Sequence, residues 1–351
     1  MLVETNSEPA LPAGVRVQVG IDAAITSNHH VCVRQVGADG AVVTSRFVVS
    51  PTLAGLSTLT TRLAGYPGVV AVTEPTSMSW LPLAAALAEG SGQLALIGSR
   101  HAARLRGAIT GKNKSDVIDA DVLARAGEVF DLVPLQVPVP AQLALRRICT
   151  RRGAAVIDGN RYLRRLISLA RWAFPDVWNG FAGSLATAKA VLSRWPHLAQ
   201  LAAARRATLT AVVAEHTRDV PDVPARAEAI RAAAGAWATF WAGRLDLDEL
   251  AWAVSEHLAD LEVAAGRIDR ATALATQYWE RLYGDDPLLA SLPGLGPVTA
   301  PTIRAFLADG ARFQSAKQAA SYVGLAPSNW SSGTVIQPAG RSPRKAPRCC
   351  G

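Results

Sequence analysis

Four carboxylates raise the first chemical question. Asp22 ends the run RVQVGID, Glu74 ends GVVAVTE, and Asp116 and Asp119 lie in KSDVIDADVLARA. Ser115 is a good helix N-cap, so Asp116 and Asp119 fall in the first turns of a helix, and their spacing of three puts both on one face. Asp121 is five residues on from Asp116 and points elsewhere. Clustered carboxylates repel unless a cation neutralises them, and hard oxygen donors select Mg2+ or Mn2+. Two such ions about 4 Å apart activate one oxygen and stabilise the leaving one in phosphodiester cleavage. Taken singly, a strand-end Asp is also an ordinary turn residue, and an Asp in a first helical turn simply answers the macrodipole. The order of all four on this strand pattern favours the metal-held set.

The elements that must position these acids are legible as period changes. Val17, Val19 and Ile21 alternate as a strand; HHVCVRQV and AVVTSRFVV read as a hairpin joined by Gly-Ala-Asp-Gly. Residues 52–65 are helical, GVVAVTE (68–74) is a buried strand stopped by Pro75, 79–89 is helical, and QLALIG (93–98) is a fifth strand. Three consecutive strands followed by helix–strand–helix–strand predict an α/β fold with a mixed five-stranded sheet. Beyond about 115 the chain reads as almost all helix, with one long stretch over 139–173 and an Ala-rich region over 185–240. A heptad-like seam runs Leu247, Leu250, Val254, His257, Leu261, Ala264, Ile268, Ala271; it suits a coiled coil and equally an amphipathic helix on its own domain. The expected division is a flexible tail (1–14), a catalytic domain (15–175), a helical or coiled-coil region (176–284) and a small α-rich C-terminal domain (285–351).

Three further features bear on function. SLPGLGPVTAPTI (291–303) is like the hairpin of a helix-hairpin-helix element, in which Gly294 and Gly296 let backbone N–H groups approach a phosphate; a plain Gly/Pro turn is the alternative. YVGLAPSNWSSGT (322–334) is a Gly/Pro/Ser loop in which Ser328, Ser331 or Ser332 could be a nucleophile or serve only turn chemistry. Between Arg146 and Arg171 eight arginines, among them Arg146, Arg147, Arg151 and Arg152, face one acid, Asp158. Arg104, Arg106, Lys112 and Lys114 add a basic lead-in to the acid helix, and such clusters suit a phosphate backbone. The six histidines make no ligand pattern and read as structural.

Composition agrees. The 351 residues carry 36 Lys+Arg and 28 Asp+Glu, a formal charge of +8, and half are hydrophobic, which excludes a disordered chain and makes a polyanion the default partner. Cys32, Cys149, Cys349 and Cys350 form no zinc pattern and no disulfide framework, which fits a reducing cytoplasm. No signal peptide or long apolar run is expected, so no membrane partner is either.

In order, GIDAA, VTEPTS, GKNKSDVIDADVLA, LPGLGPVTA and YVGLAPSNWSSGT resemble the transposases of the insertion-sequence-110 family, over about 16–341. The resemblance implies a ribonuclease-H or RuvC-like domain bearing an Asp-Glu-Asp-Asp set, here Asp22, Glu74, Asp116 and Asp119, holding Mg2+. It also implies that Ser332, before Gly333, attacks a DNA phosphodiester and becomes joined to the strand end. The two domains would act across subunits of a homo-oligomer (dimer or tetramer), guided by a noncoding RNA, on the nucleoid. The family continues after the serine loop with a basic turn and a helix beginning Leu-Arg, whereas this chain reads GRSPRKAPRCCG. Codons for its last ten residues, read one base earlier, permit a Lys-Glu-Gly turn and then Leu-Arg; a frameshift near Arg341, and a truncated chain lacking the helices behind Ser332, are therefore expected. Rival readings are a metal-dependent junction nuclease that needs no Ser332, a non-catalytic DNA-binding remnant, and a sugar or acetate kinase of the actin-like fold, which lacks its later Gly-rich phosphate loops here.

Overall fold

The computed structural model describes residues 14–111, 113–216, 221–284, 286–311, 313–323, 325, 331–332 and 335–336. The chain forms two compact units, one of residues 1–139 with 312–351 and one of residues 140–311.

The first unit holds the sheet. Strands β1 (Arg16–Asp22), β2 (His29–Val36) and β3 (Val42–Val49) form an antiparallel meander. Helix α1 (Leu53–Leu63), strand β4 (Val70–Thr73), helix α2 (Trp80–Glu89) and strand β5 (Gln93–Leu96) follow. β4 and β5 run parallel to β1, so the order is β3-β2-β1-β4-β5, the mixed five-stranded sheet that the periodicity implies. Both crossovers carry a helix, as parallel connections require. Thr52 caps α1 by accepting from the Gly55 N–H.

The alternation of β1 loads the two faces of the sheet differently. Val19 and Ile21 turn to a core with Val31, Val33, Leu59, Leu83 and Leu87, where α1 and α2 pack. Burying each such side chain contributes about 1.5–3 kcal/mol. The other face receives α3 (Ser99–Thr110), α4 (Asp116–Ala124) and α5 (Ala126–Val129) through Val72, Ile97, Ala102, Leu105, Val122 and Leu123. This α/β arrangement is consistent with a ribonuclease-H-like domain.

The second unit is helical: α6 (Pro140–Ala173), α7 (Pro175–Gly180), α8 (Leu185–Arg194), α9 (Leu198–Ala202), α10 (Arg206–His216), α11 (Val223–Trp241), α12 (Leu247–Tyr283), α13 (Pro287–Ala290) and α14 (Thr299–Leu307). α6 and α12 lie antiparallel along each other. Gln142 bonds Tyr283, Arg152 bonds Thr272, and a Cβ added at Gly159 would stand 3.4 Å from that of Ala264. The seam differs by one position from the heptad assignment. Leu258 is buried and His257 only partly so, because α12 follows the 3.6-residue period of an ordinary α-helix rather than a strict heptad, and the larger apolar neighbour takes the contact. The two compact units divide between residues 139 and 140, ahead of α6. α6 is one continuous helix, and its Leu166, Ala170 and Ala173 are buried in the same core as Val191, Ile230 and Val254.

The remaining elements are α15 (Ala316–Tyr322), capped by Ser315, and a two-stranded ladder of β6 (Ser331–Ser332) and β7 (Val335–Ile336). No helix among the described residues is long and apolar enough to cross a membrane.

Candidate active site

The carboxyl ends of β1 and β4 bring two acids level. Ile21 is the register partner of Thr73, so Asp22 and Glu74 follow as neighbours at the same edge of the sheet. Asp116 and Asp119 come from α4, whose first turn is fixed by the Ser115 hydroxyl accepting from the Ile118 N–H.

Gly20 lets α4 reach that edge. A Cβ there would lie 2.1 Å from the Ala120 carbonyl oxygen and 2.2 Å from the Ala124 nitrogen, so the helix backbone rests on the strand backbone. Cys32, the register partner of Gly20 on β2, packs on Ala120 and Ala124. Asp121 fastens the same helix to β3, its two oxygens accepting from Arg46 Nε at 2.8 Å and Nη2 at 2.5 Å. Burial alone would raise the Asp121 carboxyl, but bonds from Arg46 and Cys32 hold it below the usual range. The Cys32 thiol is pushed up to about 12 by burial, and then by its bond to Asp121. Asp121 therefore anchors α4, and Asp116 and Asp119, on the preceding turn, are left for the edge.

The electrostatics show convergence on Asp22. Its carboxyl is raised from 3.8 to about 6, by burial first and then by the charges of Asp119, Asp116 and Glu74, while His30 pulls it down. A carboxylate repelled by three others is the donor set a hard divalent cation neutralises, so the residues fit Mg2+ or Mn2+. The set is not drawn together as a cage: among the described residues no three His, Cys, Asp or Glu side chains stand as a ready-made ligand group. Asp119, which is buried, instead accepts from Arg106 Nη1 at 2.7 Å, and Asp116 lies 3.7 Å from His30 Nε2.

His30, grouped by sequence with the structural histidines, stands beside the acids. It is the register partner of Asp22 across the β1–β2 hairpin, and pairing the strands by period two would have found it. His29, one residue away, is structural as expected, its Nδ1 accepting from the Ala24 N–H in the turn.

The basic candidates divide. Arg104 and Lys114 are exposed, Arg106 is bound to Asp119, and Lys112 lies outside the described residues. On α6, Arg147 and Arg151 are exposed. Arg146 stacks 5.4 Å over the Phe306 ring, and Arg152 donates to Thr272 Oγ1, so both turn toward α14 and α12 within their own unit.

Gly294 and Gly296 occupy the exposed hairpin between α13 and α14, and Gly294 has φ +82°, a conformation that glycine adopts without strain. A buried polar knot holds that hairpin to the long helices. Asp286 accepts from Arg304 Nε at 2.5 Å and Nη2 at 2.9 Å, Gln142 donates to the Arg304 carbonyl at 2.7 Å, and Tyr283 donates to Gln142 at 2.6 Å. The backbone of Ser332 pairs with Val335 in the β6–β7 ladder, whereas Ser328, Gly333 and the tail 337–351 lie outside the described residues.

Two family models match these segments. One, the DEDD model for IS110 described as a transposase, covers residues 19–175; the other, for transposases of the IS116/IS110/IS902 family, covers residues 286–348. A protein of insertion element IS116 from Streptomyces clavuligerus is 28% identical over 319 residues, 89% of this chain and 76% of its own length. The chain belongs to the IS110 family of transposases. The transposase is also 42% identical over 74 residues to the pilin gene-inverting proteins of Moraxella lacunata and Moraxella bovis, a stretch covering 19% of this chain and 23% of theirs. Family membership makes DNA the partner and recombination the reaction class. The first match spans all four acids and Arg106, and the second spans Gly294, Gly296 and Ser332.

Proposed function

We propose that this transposase cuts and rejoins DNA strands with a divalent-cation site formed by Asp22, Glu74, Asp116 and Asp119 and with Ser332 as nucleophile. The placing of Asp22 and Glu74 at one edge of the sheet, with the charges of Asp116 and Asp119 also bearing on Asp22, carries this reading. When bound, Mg2+ or Mn2+ would supply charge neutralisation at the attacked phosphate and at the departing oxygen. The chain's own groups do the rest. The Ser332 hydroxyl gives up its proton and its oxygen bonds to phosphorus; one P–O bond of the strand breaks, and the departing sugar oxygen takes up a proton. Energy is conserved in the serine–phosphate ester, so a second strand end can reverse the step and restore a phosphodiester. Arg104 and Lys114 near the acid helix, and Arg147 and Arg151 on α6, would neutralise backbone phosphates. Gly294 and Gly296 would admit a phosphate to the backbone N–H groups that open α14. We further assign a guide RNA as second polyanion, and a homo-oligomer in which acids and serine of different copies cooperate.

The test is a strand-transfer assay with the element's ends, guide RNA and Mg2+, followed by denaturing gels for protein–DNA adducts. Ser332→Ala should abolish adducts and rejoining, and Asp22→Asn should abolish cutting. Undiminished cutting by Ser332→Ala would establish a plain metal-dependent nuclease instead.

A further inference from the structure

Arg106 occupies a position that neither packing nor phosphate binding accounts for. It extends from α3 to the buried Asp119, with side-chain exposures of 21% and 10%, and its Nη1 donates to Oδ1 at 2.7 Å. Among the described residues it is the one Arg or Lys that makes an ion pair with any of the four acids; Asp116 meets only His30, at 3.7 Å, and Asp22 and Glu74 make none. The contrast with Asp121 on the same helix is informative. There Arg46 grips both carboxylate oxygens with two nitrogens, which is how an arginine clamps two elements together. Arg106 offers one bond to one oxygen, a link that can be exchanged while α4 stays anchored by Asp121 and Gly20.

Resting on the assignment of the four acids as a cation site, we propose that Arg106 is the resident counter-cation of that site. Its guanidinium neutralises Asp119 when no divalent ion is present, competes with the ion for that carboxylate, and leaves it when the ion binds. The buried carboxylate is never without a positive partner, which avoids the penalty of an uncompensated buried charge. The displaced guanidinium, at the rim of the site, becomes available to a DNA phosphate as the ion arrives. Arg106 is thus a positioning residue that couples loading of the site to its readiness for a polyanion.

The test measures Mn2+ binding to the full chain without DNA, by calorimetry and by the electron paramagnetic resonance of free Mn2+. Arg106→Gln should bind Mn2+ about tenfold tighter than wild type, since a single charge-assisted bond no longer competes. Arg106→Lys keeps the charge on a different reach and should fall between the two, and it carries the test if the Gln variant lacks the wild-type circular dichroism. Thermal midpoints give an independent readout. Without metal Arg106→Gln should melt below wild type, and saturating Mn2+ should raise its midpoint by several degrees more than it raises the wild type's. Equal or weaker Mn2+ affinity in Arg106→Gln, with the same Mn2+-induced shift as wild type, would make Arg106 a simple strut and overturn the proposal. If wild type and variants all fail to bind Mn2+, or if Asp22→Asn binds it as wild type does, the assignment of the acids themselves is overturned instead.

Discussion

Replacing Asp22 by asparagine should stabilise the metal-free protein, and only above the pH at which this carboxyl ionises in the unfolded chain. In the folded chain the carboxyl is raised from 3.8 to about 6, by burial and then by Asp119, Asp116 and Glu74. A proton held more tightly in the folded state than in the unfolded one means that stability falls as pH rises between these values. Below about pH 4 both states are protonated and Asp22 carries no penalty. Above about pH 6 the ionised folded carboxylate costs up to ~3 kcal/mol, which solvent screening of this half-buried group trims to about 1–2 kcal/mol. Asparagine retains the shape and never ionises. Calorimetric melts in EDTA should therefore show the first unit of Asp22→Asn melting higher than wild type by about 2–6 °C at pH 7.5, and within about 1 °C of it at pH 3.5. Millimolar Mn2+ should reverse the order at pH 7.5, because wild type gains binding energy that the variant has lost. A variant that is destabilised at pH 7.5, or shifted equally at both pH values, would refute the claim that the four carboxylates share one field.

Two more substitutions probe what positions the site and what holds the DNA. Gly20→Ala drives a Cβ to 2.1 Å from the Ala120 carbonyl oxygen, and since this is backbone rather than a mobile side chain, α4 must lift. A loss of ~2–3 kcal/mol and of Mn2+ affinity is expected, and wild-type stability with wild-type Mn2+ binding would show that α4 does not rest on β1. Arg147→Ala and Arg151→Ala should leave the fold intact and each lower the slope of log affinity for duplex DNA against log salt by about one; unchanged slopes would remove α6 from the DNA interface.

Several assignments needed only the order of the residues. Strand alternation, the Gly-Ala-Asp-Gly turn and Pro75 mark the five strands, and β2 spans the same eight residues, His29–Val36, that the pattern delimits. Ser115 followed by Asp116 and Asp119 identifies the acid helix and its shared face, because an N-cap and a spacing of three are local properties. The family likewise rests on short motifs in a fixed order, which the matches over 19–175 and 286–348 bear out.

Contacts between residues distant in the chain were decided only by the tertiary structure. His30 reads as one of two adjacent strand histidines until the hairpin register sets it opposite Asp22 and turns His29 into the turn. Arg106 is indistinguishable in sequence from the exposed Arg104, yet two positions along one helix turn it from solvent to a buried carboxylate. Asp121 and Asp119 differ by the same two residues, and one clamps α4 to β3 while the other faces the acid edge. The long helix that begins at Pro140 packs with residues as far as 163 positions away, so its allegiance to the second unit could not be read from its own basic composition. Local spacing determines which side chains share a face; what that face meets depends on loop closure and core packing, which join residues that no window of sequence contains.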